Sequence, residues 1–141
     1  MCEFYKEQYG CNFISAMPAN LYGPNDNYDL NTSHLVPALL RKFYEAKQNN
    51  SKQVEVWGDG TPYREFLHVD DCASACLFLM ENYNELQFIN VGSGVEHSIK
   101  QVAEIIKSKV GFKGVIEFNS IYPNGTPRKL MDVSKINNLG W

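Results

Sequence analysis

Hydrophobic positions along the chain switch repeatedly between the spacing of a strand and that of a helix. Short apolar runs are bounded by Gly, Pro, Asn and Asp, and longer stretches between them carry apolar residues three and four positions apart. Strand and helix therefore alternate, and we expect an α/β fold. The predicted helices cover 1–9, 34 to about 48, about 70 to about 82, a stretch after 98, and 134–139; the predicted strands cover 12–17, 53–57, 64–69, 88–91 and 115–118.

Three of the predicted helices begin next to a residue that can act as an N-cap. Ser33 and Ser98 precede amphipathic stretches, and Asp70 or Asp71 precedes the third. The third stretch is apolar over most of its surface, which predicts burial. The other two each predict one buried stripe, made of Leu35, Leu39, Leu40 and Phe43 after Ser33, and of Ile99, Val102, Ile105 and Ile106 after Ser98.

A long polar loop is predicted over residues 18–32. It carries Asn-Leu-Tyr-Gly-Pro-Asn-Asp-Asn at 20–27, a sequence rich in turn-forming residues. Loops of this length in compact domains usually carry function. Because ligands of α/β sheets bind beyond the carboxyl ends of the strands, this loop is a candidate for ligand binding.

Two glycine pairs begin the pattern of a dinucleotide-binding loop without completing it. That loop reads Gly-x-Gly-x-x-Gly. The third position is His97 after Gly92–Gly94, and it is Tyr63 after Gly58–Gly60. We therefore interpret both pairs as turns.

Composition and charge exclude several classes of protein. The chain has 141 residues, of which 44% are hydrophobic and 21% charged, as in globular proteins and unlike disordered or collagen-like ones. Thirteen basic against sixteen acidic residues give a net charge of −3, so no overall positive field favours nucleic acid or an anionic membrane. The longest apolar run, 73–80, is too short to span a bilayer, and residues 1–3 do not begin a signal peptide. We expect a cytoplasmic protein.

The four cysteines and the histidines give no metal signature. No Cys-x-x-Cys pair occurs, and a chain with a sizeable core needs no disulfides, so we expect free thiols. Cys72 and Cys76 would share one helix face, but no matching pair of histidines accompanies them, and we expect no metal site. His68, in a predicted strand, and His97, in a predicted loop, are expected to be structural.

Several sequence motifs occur in a characteristic order. Pro-x-Asn-x-Tyr-Gly-Pro at 18–24 and Arg-Glu-Phe-x-x-Val-Asp-Asp at 64–71 resemble motifs of extended short-chain dehydrogenases/reductases that act on nucleotide sugars. With Ser33-His34 and Gly-Thr-Pro-Arg-Lys at 125–129, essentially the whole chain resembles the GDP-L-fucose synthase family. The resemblance implies that 1–141 is the C-terminal portion of an NAD-dependent epimerase/dehydratase domain. Its fold would be the C-terminal part of a Rossmann-type fold, with the last sheet strands interleaved with a small α/β substrate-binding subdomain.

The reaction implied by this resemblance is NADP(H)-dependent. It converts GDP-4-keto-6-deoxy-D-mannose to GDP-L-fucose by epimerisation at C3 and C5 and hydride delivery to C4. Protons next to the C4 ketone are acidic because an enolate can form, so inversion needs a base on one face of the sugar and an acid on the other. His34 matches the histidine acid of the family, and an imidazole can give and accept protons near neutral pH.

The resemblance also implies binding residues. Cations suit the diphosphate of a nucleotide sugar, and an indole suits packing against its sugar or base. At the nicotinamide end of the cofactor, backbone groups and an Asn amide can hold the carboxamide. The cofactor-binding positions are Pro18, Ala19, Asn20, Leu21 and His34, and the substrate-binding positions are Lys42, Trp57, Arg64 and Asn124.

Two features of the last loop leave questions open. Asn124 stands where the family typically has Asp, so the position keeps an acceptor and loses the charge. Arg128 and Lys129 either add positive potential near the diphosphate or belong to a solvated loop.

Parts of the family's machinery are absent from the sequence. None of the eight tyrosines has a lysine four residues later, so the Tyr-x-x-x-Lys motif does not occur. The nearest match is Tyr44 with Lys47, which are three residues apart. The N-terminal glycine-rich phosphate loop, the active-site serine and the cysteine base are also missing, and Cys2 and Cys11 lie where they cannot replace that base. We therefore expect that a missing N-terminal half binds most of NADP(H), that the chain alone is inactive, and that it exposes the strand edge and helix faces which this half covers. The full-length family implies a homodimer.

Two other interpretations stay open at this point. One is part of another nucleotide-sugar epimerase or dehydratase, against which Ser33-His34 argues. The other is a non-catalytic remnant that binds a nucleotide sugar or serves only as a structural fragment.

Overall fold

The structure, a computed structural model, describes residues 1–141 and confirms the α/β class. None of its helices combines the length and the apolar character needed to cross a membrane. The helices are α1 (Cys2–Tyr9), α2 (Leu35–Gln48), α3 (Val69–Asn82), α4 (Ile99–Val110) and α5 (Ser134–Leu139). The strands are β1 (Ala16–Pro18), β2 (Asn20–Tyr22), β3 (Gln53–Trp57), β4 (Tyr63–His68), β5 (Ile89–Val91), β6 (Glu96–Ser98), β7 (Val115–Asn119) and β8 (Arg128–Lys129).

The chain forms two compact units, of which the first consists of Met1–Gly23, Glu65–Val95 and Leu130–Trp141. In this unit β1 pairs in parallel with β5, and β2 pairs in parallel with the later residues of β4. Helix α3 packs against β2, and α5 packs against β5. The buried core between these elements consists of Leu67, Ala75, Leu79, Tyr83, Ile89, Val91, Val133 and Ile136.

The second unit consists of Pro24–Arg64 and Glu96–Lys129. Strands β3 and β7 pair in parallel, and strict alternation buries Val54 and Val56 while the other three residues of β3 face solvent. Helix α2 packs against β3 and α4. The buried residues of this unit include Leu39, Phe43, Ala46, Val54, Val56, Val102, Ala103, Ile106 and Phe112.

The predicted cap of α4 is confirmed. The Ser98 hydroxyl accepts from the Gln101 backbone N–H at 3.1 Å, and the Gln101 side-chain oxygen accepts from the Ser98 backbone N–H at 2.8 Å. This reciprocal capping box satisfies two backbone donors at the start of the helix.

The other two predicted caps are wrong. His34 and not Ser33 is the N-cap residue of α2, and no side chain caps that helix. Strand β4 runs directly into α3, so the helix begins before Asp70 and Asp71 can cap it. His68, the last residue of the strand, is the cap, and its Nδ1 accepts from the Asp70 backbone N–H at 3.3 Å. This agrees with a structural role for His68.

Some predicted strands and stripes also differ from the structure. The strand predicted over 12–17 forms only as β1, because pairing with β5 begins at Ala16. The loop predicted over 18–32 contains β2, and His97, expected in a loop, lies in the short strand β6. In the predicted buried stripes, Leu35 and Leu40 of α2 and Ile99 of α4 are only half-buried, and Ile105 of α4 is exposed. The additional buried residues are Pro37, Ala46 and Ala103.

Helix α3 is more exposed than its composition predicts. Only Ala75 and Leu79 among its residues are buried, whereas the Leu77 and Met80 side chains are 64% and 74% exposed. Helix α1 has no buried residue. The first unit thus presents apolar helix surface to solvent.

Candidate functional site

The segment predicted to bind the cofactor, 18–21, lies in the first unit where β1 passes into β2. The Ala19 backbone N–H donates to the carbonyl of the last residue of β5 at 2.9 Å. The Asn20 side-chain amide donates to the Glu65 carbonyl at 2.7 Å. Apart from Ala19, the segment is exposed. These bonds fix the backbone and leave the Asn20 side-chain oxygen accessible to a ligand.

Glu65, which the sequence analysis did not single out, supports this segment. Its side chain is 1% exposed, and its carboxylate accepts from the backbone N–H groups of Gly94 at 2.7 Å and Met131 at 3.2 Å. A Cβ atom at Gly92 would clash with the same carboxylate, which explains the glycine there. Alternation along β4 places Glu65 on a buried face, where a carboxylate must be hydrogen-bonded. The alternating pattern of this strand is therefore the sequence signal that points to Glu65. Glu65 thereby ties two chain segments to the strand whose carbonyl holds Asn20.

An aromatic pair lies at the carboxyl ends of β3 and β7 in the second unit. Trp57 ends β3, and its ring stacks on that of Tyr122 with 4.5 Å between centroids and an interplanar angle of 18°. Lys42, from α2, places Nζ 5.2 Å from the centre of the Trp57 ring and donates to the Glu55 carbonyl at 3.1 Å. The structure therefore brings together two predicted substrate-binding residues, Lys42 and Trp57. It adds Tyr122, which reaches Trp57 because β3 pairs with β7.

Lys42 is a partly desolvated cation. Loss of hydration lowers the pKa of its amine, and attraction to Glu55 offsets part of this effect. Lys42 takes part in no ion pair. An anionic ligand would replace the missing hydration and stabilise the charged form, so this position favours an anion.

The turn after Trp57 is held by Asn124. Its side-chain oxygen accepts from the Asp59 backbone N–H at 2.8 Å. Hydrogen bonds from Thr61, first from its hydroxyl, and from Asn124 lower the pKa of the Asp59 carboxyl. Gly58 has φ +82°, and a Cβ there would lie 2.5 Å from the Asn124 oxygen. Asn124 thus bonds Asp59 through both its side-chain oxygen and its amide group, which leaves one of the two amide N–H groups for a ligand.

Two of the three arginines of this unit, Arg64 and Arg128, differ in how far their charge is neutralised. Arg64 donates to the Tyr63 carbonyl at 2.7 Å and forms no ion pair. Arg128 places Nε 2.9 Å from both oxygens of the Glu96 carboxylate, which raises the pKa of the guanidinium. Of the two, Arg64 keeps its charge for a ligand.

His34 lies at the start of α2 with an exposed side chain. Its carbonyl accepts the Ala38 backbone N–H at 3.0 Å, while the imidazole caps no backbone group. The preceding hydroxyl, on Ser33, is buried without a hydrogen-bond partner. No hydrogen bond, ion pair or aromatic contact joins His34 or Arg64 to Lys42, Trp57 or Tyr122.

Comparisons with known proteins agree on one family. The sequence model of the NAD dependent epimerase/dehydratase family matches residues 1–92. GDP-L-fucose synthase 1 of Arabidopsis thaliana is 54% identical over 140 residues, which are 99% of this chain and 43% of that protein. The crystal structure of a GDP-6-OMe-4-keto-L-xylo-heptose reductase from C. jejuni has a TM-score of 0.92 and 38% identity, covering 100% of this chain and 52% of that one. A GDP-L-fucose synthetase from Naegleria fowleri bound to NADP has a TM-score of 0.92 and 34% identity, covering 99% and 45%. The chain thus spans about half the length of the relatives it matches.

Proposed function

Since this chain belongs to the NAD dependent epimerase/dehydratase family, we propose that it is the substrate-binding portion of a GDP-L-fucose synthase. The whole enzyme converts GDP-4-keto-6-deoxy-D-mannose to GDP-L-fucose by epimerisation at C3 and C5 and NADPH-dependent reduction at C4. The observation that carries the proposal is the pairing of Lys42, a cation without an ion pair, with the exposed indole of Trp57 at the ends of two parallel strands. In α/β proteins such strand ends are where ligands bind.

The substrate-binding residues are Lys42, Trp57, Arg64 and Asn124. Lys42 and Arg64 form no ion pair with a carboxylate of the chain, and a diphosphate is the anion that such groups bind well. The Trp57 ring offers an apolar surface to a sugar or base. Asn124 offers the amide N–H that Asp59 does not use as a donor to a substrate oxygen.

His34 is the proposed acid of the epimerisation. Abstraction of a proton beside the C4 ketone gives an enolate, and reprotonation from the opposite face inverts the carbon. An imidazole that is exposed and caps no backbone group is available to donate this proton. The base is supplied by a residue outside this chain.

NADP(H) is the proposed cofactor, and the segment 18–21 fits its nicotinamide end. The Asn20 amide is fixed by the Glu65 carbonyl, so its side-chain oxygen is held ready to accept from a carboxamide. Pro18, Ala19 and Leu21 offer backbone groups around it, and His34 completes the cofactor-binding positions. When bound, the cofactor supplies the hydride that reduces C4.

A second chain segment is the proposed partner of this one. It carries the glycine-rich phosphate loop, Tyr-x-x-x-Lys and the cysteine base, and so completes the Rossmann-type domain of which 1–141 is the C-terminal portion. We propose that it covers the apolar surface that α3 exposes at Leu77 and Met80. The assembled enzyme is a cytoplasmic homodimer in this proposal, and the isolated chain is inactive.

Calorimetry tests the substrate-binding role with the chain itself. GDP-L-fucose is expected to bind, and UDP-glucose at the same concentrations is expected to bind more weakly. Arg64→Ala should weaken the binding of GDP-L-fucose, whereas Lys113→Ala, at an exposed lysine of the same unit, should not. Heat indistinguishable from buffer would favour a structural remnant, and preference for the UDP-sugar would favour part of a different epimerase or dehydratase.

A further inference from the structure

Tyr122 occupies a position that its own loop holds in place. Asn119, at the end of β7, accepts from the backbone N–H of Ile121 through its side-chain oxygen at 3.1 Å and from that of Tyr122 through its carbonyl at 3.3 Å. The Asn119 amide in turn donates to the Glu55 carboxylate at 2.9 Å. Since Asn119 lies opposite Trp57 in the strand register, this turn delivers the Tyr122 ring to the indole.

The stacked pair admits no ligand between its rings and leaves other indole surface exposed. A planar group inserted between the rings would need about 7 Å, twice the usual carbon contact distance, and the centroids are 4.5 Å apart. Tyr122 therefore occupies one face of Trp57, and Lys42 Nζ lies 5.2 Å from the ring centre. Trp57 is nonetheless 54% exposed, so part of the indole stays accessible to a ligand.

We propose that Tyr122 is a positioning residue of the nucleotide-sugar site, which stacks behind Trp57 and holds the exposed part of the indole in place for the ligand's base. This inference rests on the proposed function. A tryptophan at the end of a strand has two side-chain torsions to restrict, and a stacked ring restricts both before the ligand arrives. The phenol hydroxyl has no part in this role, whereas the ring is essential to it.

The test compares two probes, GDP and inorganic pyrophosphate, by calorimetry on the full chain. Tyr122→Ala is expected to weaken GDP binding about fivefold, in line with the loss of one aromatic pair. Pyrophosphate binding should stay unchanged because it needs the cations alone. Tyr122→Phe should restore GDP binding, and Tyr44→Ala, which removes an exposed tyrosine of the same unit, should leave it at the wild-type value.

Trp57 emission reports the mobility of the indole directly, and the thermal midpoint of each variant shows whether the fold has loosened as a whole. In a Trp141→Phe background, Tyr122→Ala should lower the fluorescence anisotropy of Trp57, and Tyr122→Phe should not. If Tyr122→Ala lowers the thermal midpoint, Tyr122→Leu, which keeps bulk without an aromatic ring, serves in its place and should show the same selective loss.

The outcomes separate this inference from the proposed function. Three results would overturn the role of Tyr122: unchanged GDP affinity in Tyr122→Ala, equal loss of affinity for GDP and pyrophosphate, or failure of Tyr122→Phe to restore GDP binding. In each of these cases, binding of GDP by the wild-type chain still upholds the proposed function. A wild-type chain that binds neither probe would overturn both.

Discussion

His34 combines an exposed imidazole with a backbone position fixed by the first turn of α2. In the enzyme assembled with the proposed N-terminal segment, His34→Gln should suppress inversion at C3 and C5, because glutamine cannot donate the proton. Direct reduction at C4 remains possible. Analysis of the sugar products by NMR should show an increased share of the unepimerised product.

A matched substitution, His97→Gln, controls for the loss of any imidazole. His97 lies half-buried in β6 and has no role in the proposed site. His97→Gln should leave the ratio of epimerised to unepimerised product unchanged. A His34→Gln enzyme with the wild-type ratio would remove His34 from the mechanism.

The desolvated amine of Lys42 makes stability depend on alkaline pH. Burial lowers the pKa of Lys42 below the ordinary lysine value of 10.5, so between the two values the unfolded chain binds more protons than the folded chain. The free energy of unfolding therefore gains a contribution that increases as pH rises through this window. Lys42→Met abolishes that contribution.

Urea unfolding at neutral pH and near pH 10.5 measures the effect. The stability of the wild type relative to Lys42→Met should increase between the two conditions. Lys113→Met, at an exposed lysine, controls for the change in net charge. A constant difference between the wild type and Lys42→Met would show that Lys42 carries no desolvation cost.

At the scale of elements, the capping box of α4 should contribute measurably to stability. Ser98→Ala leaves the Gln101 backbone N–H without its acceptor and should cost about 1 kcal/mol in the free energy of unfolding. Ser108→Ala, at an exposed position late in the same helix, should change it by less than about 0.5 kcal/mol. Equal effects of the two substitutions in chemical denaturation would contradict the assigned cap.

An element could be predicted from the sequence where the residues that determine it lie close together in the chain. Ser98 and Gln101 are three residues apart, so the cap of α4 was visible in the sequence. Strand β2 was missed because its partner is far away, as the bond from Asn20 to Glu65 across 45 positions illustrates. The caps at Ser33 and Asp70 failed since His34 and His68, each one position outside its helix, occupy the N-cap position.

The candidate site followed the same rule. Lys42 and Trp57 were identified through family resemblance, and no spacing in the sequence would have joined them. Tyr122 depended on the pairing of β3 with β7, which sets Trp57 opposite Asn119. Glu65 was the one supporting residue that strand alternation alone could have identified.

At the scale of the whole molecule, the exposed apolar surface of the first unit should drive self-association of the isolated chain. Leu77 and Met80 are largely exposed on α3, and exposed apolar patches are prone to association. The double substitution Leu77→Glu, Met80→Glu should lower the associated fraction in sedimentation velocity. Tyr44→Glu, on an exposed position of the second unit, should not. Equal association in all three proteins would mean that this surface is not the one that associates.

The most direct test of the central claim is turnover by the completed enzyme. The chain is combined with an N-terminal segment that carries the glycine-rich loop and Tyr-x-x-x-Lys, and NADPH oxidation is followed with GDP-4-keto-6-deoxy-D-mannose as substrate. We predict NADPH oxidation coupled to the formation of GDP-L-fucose by the assembled complex, and none by either part alone. A correctly assembled complex that oxidises no NADPH with this substrate would contradict the assignment.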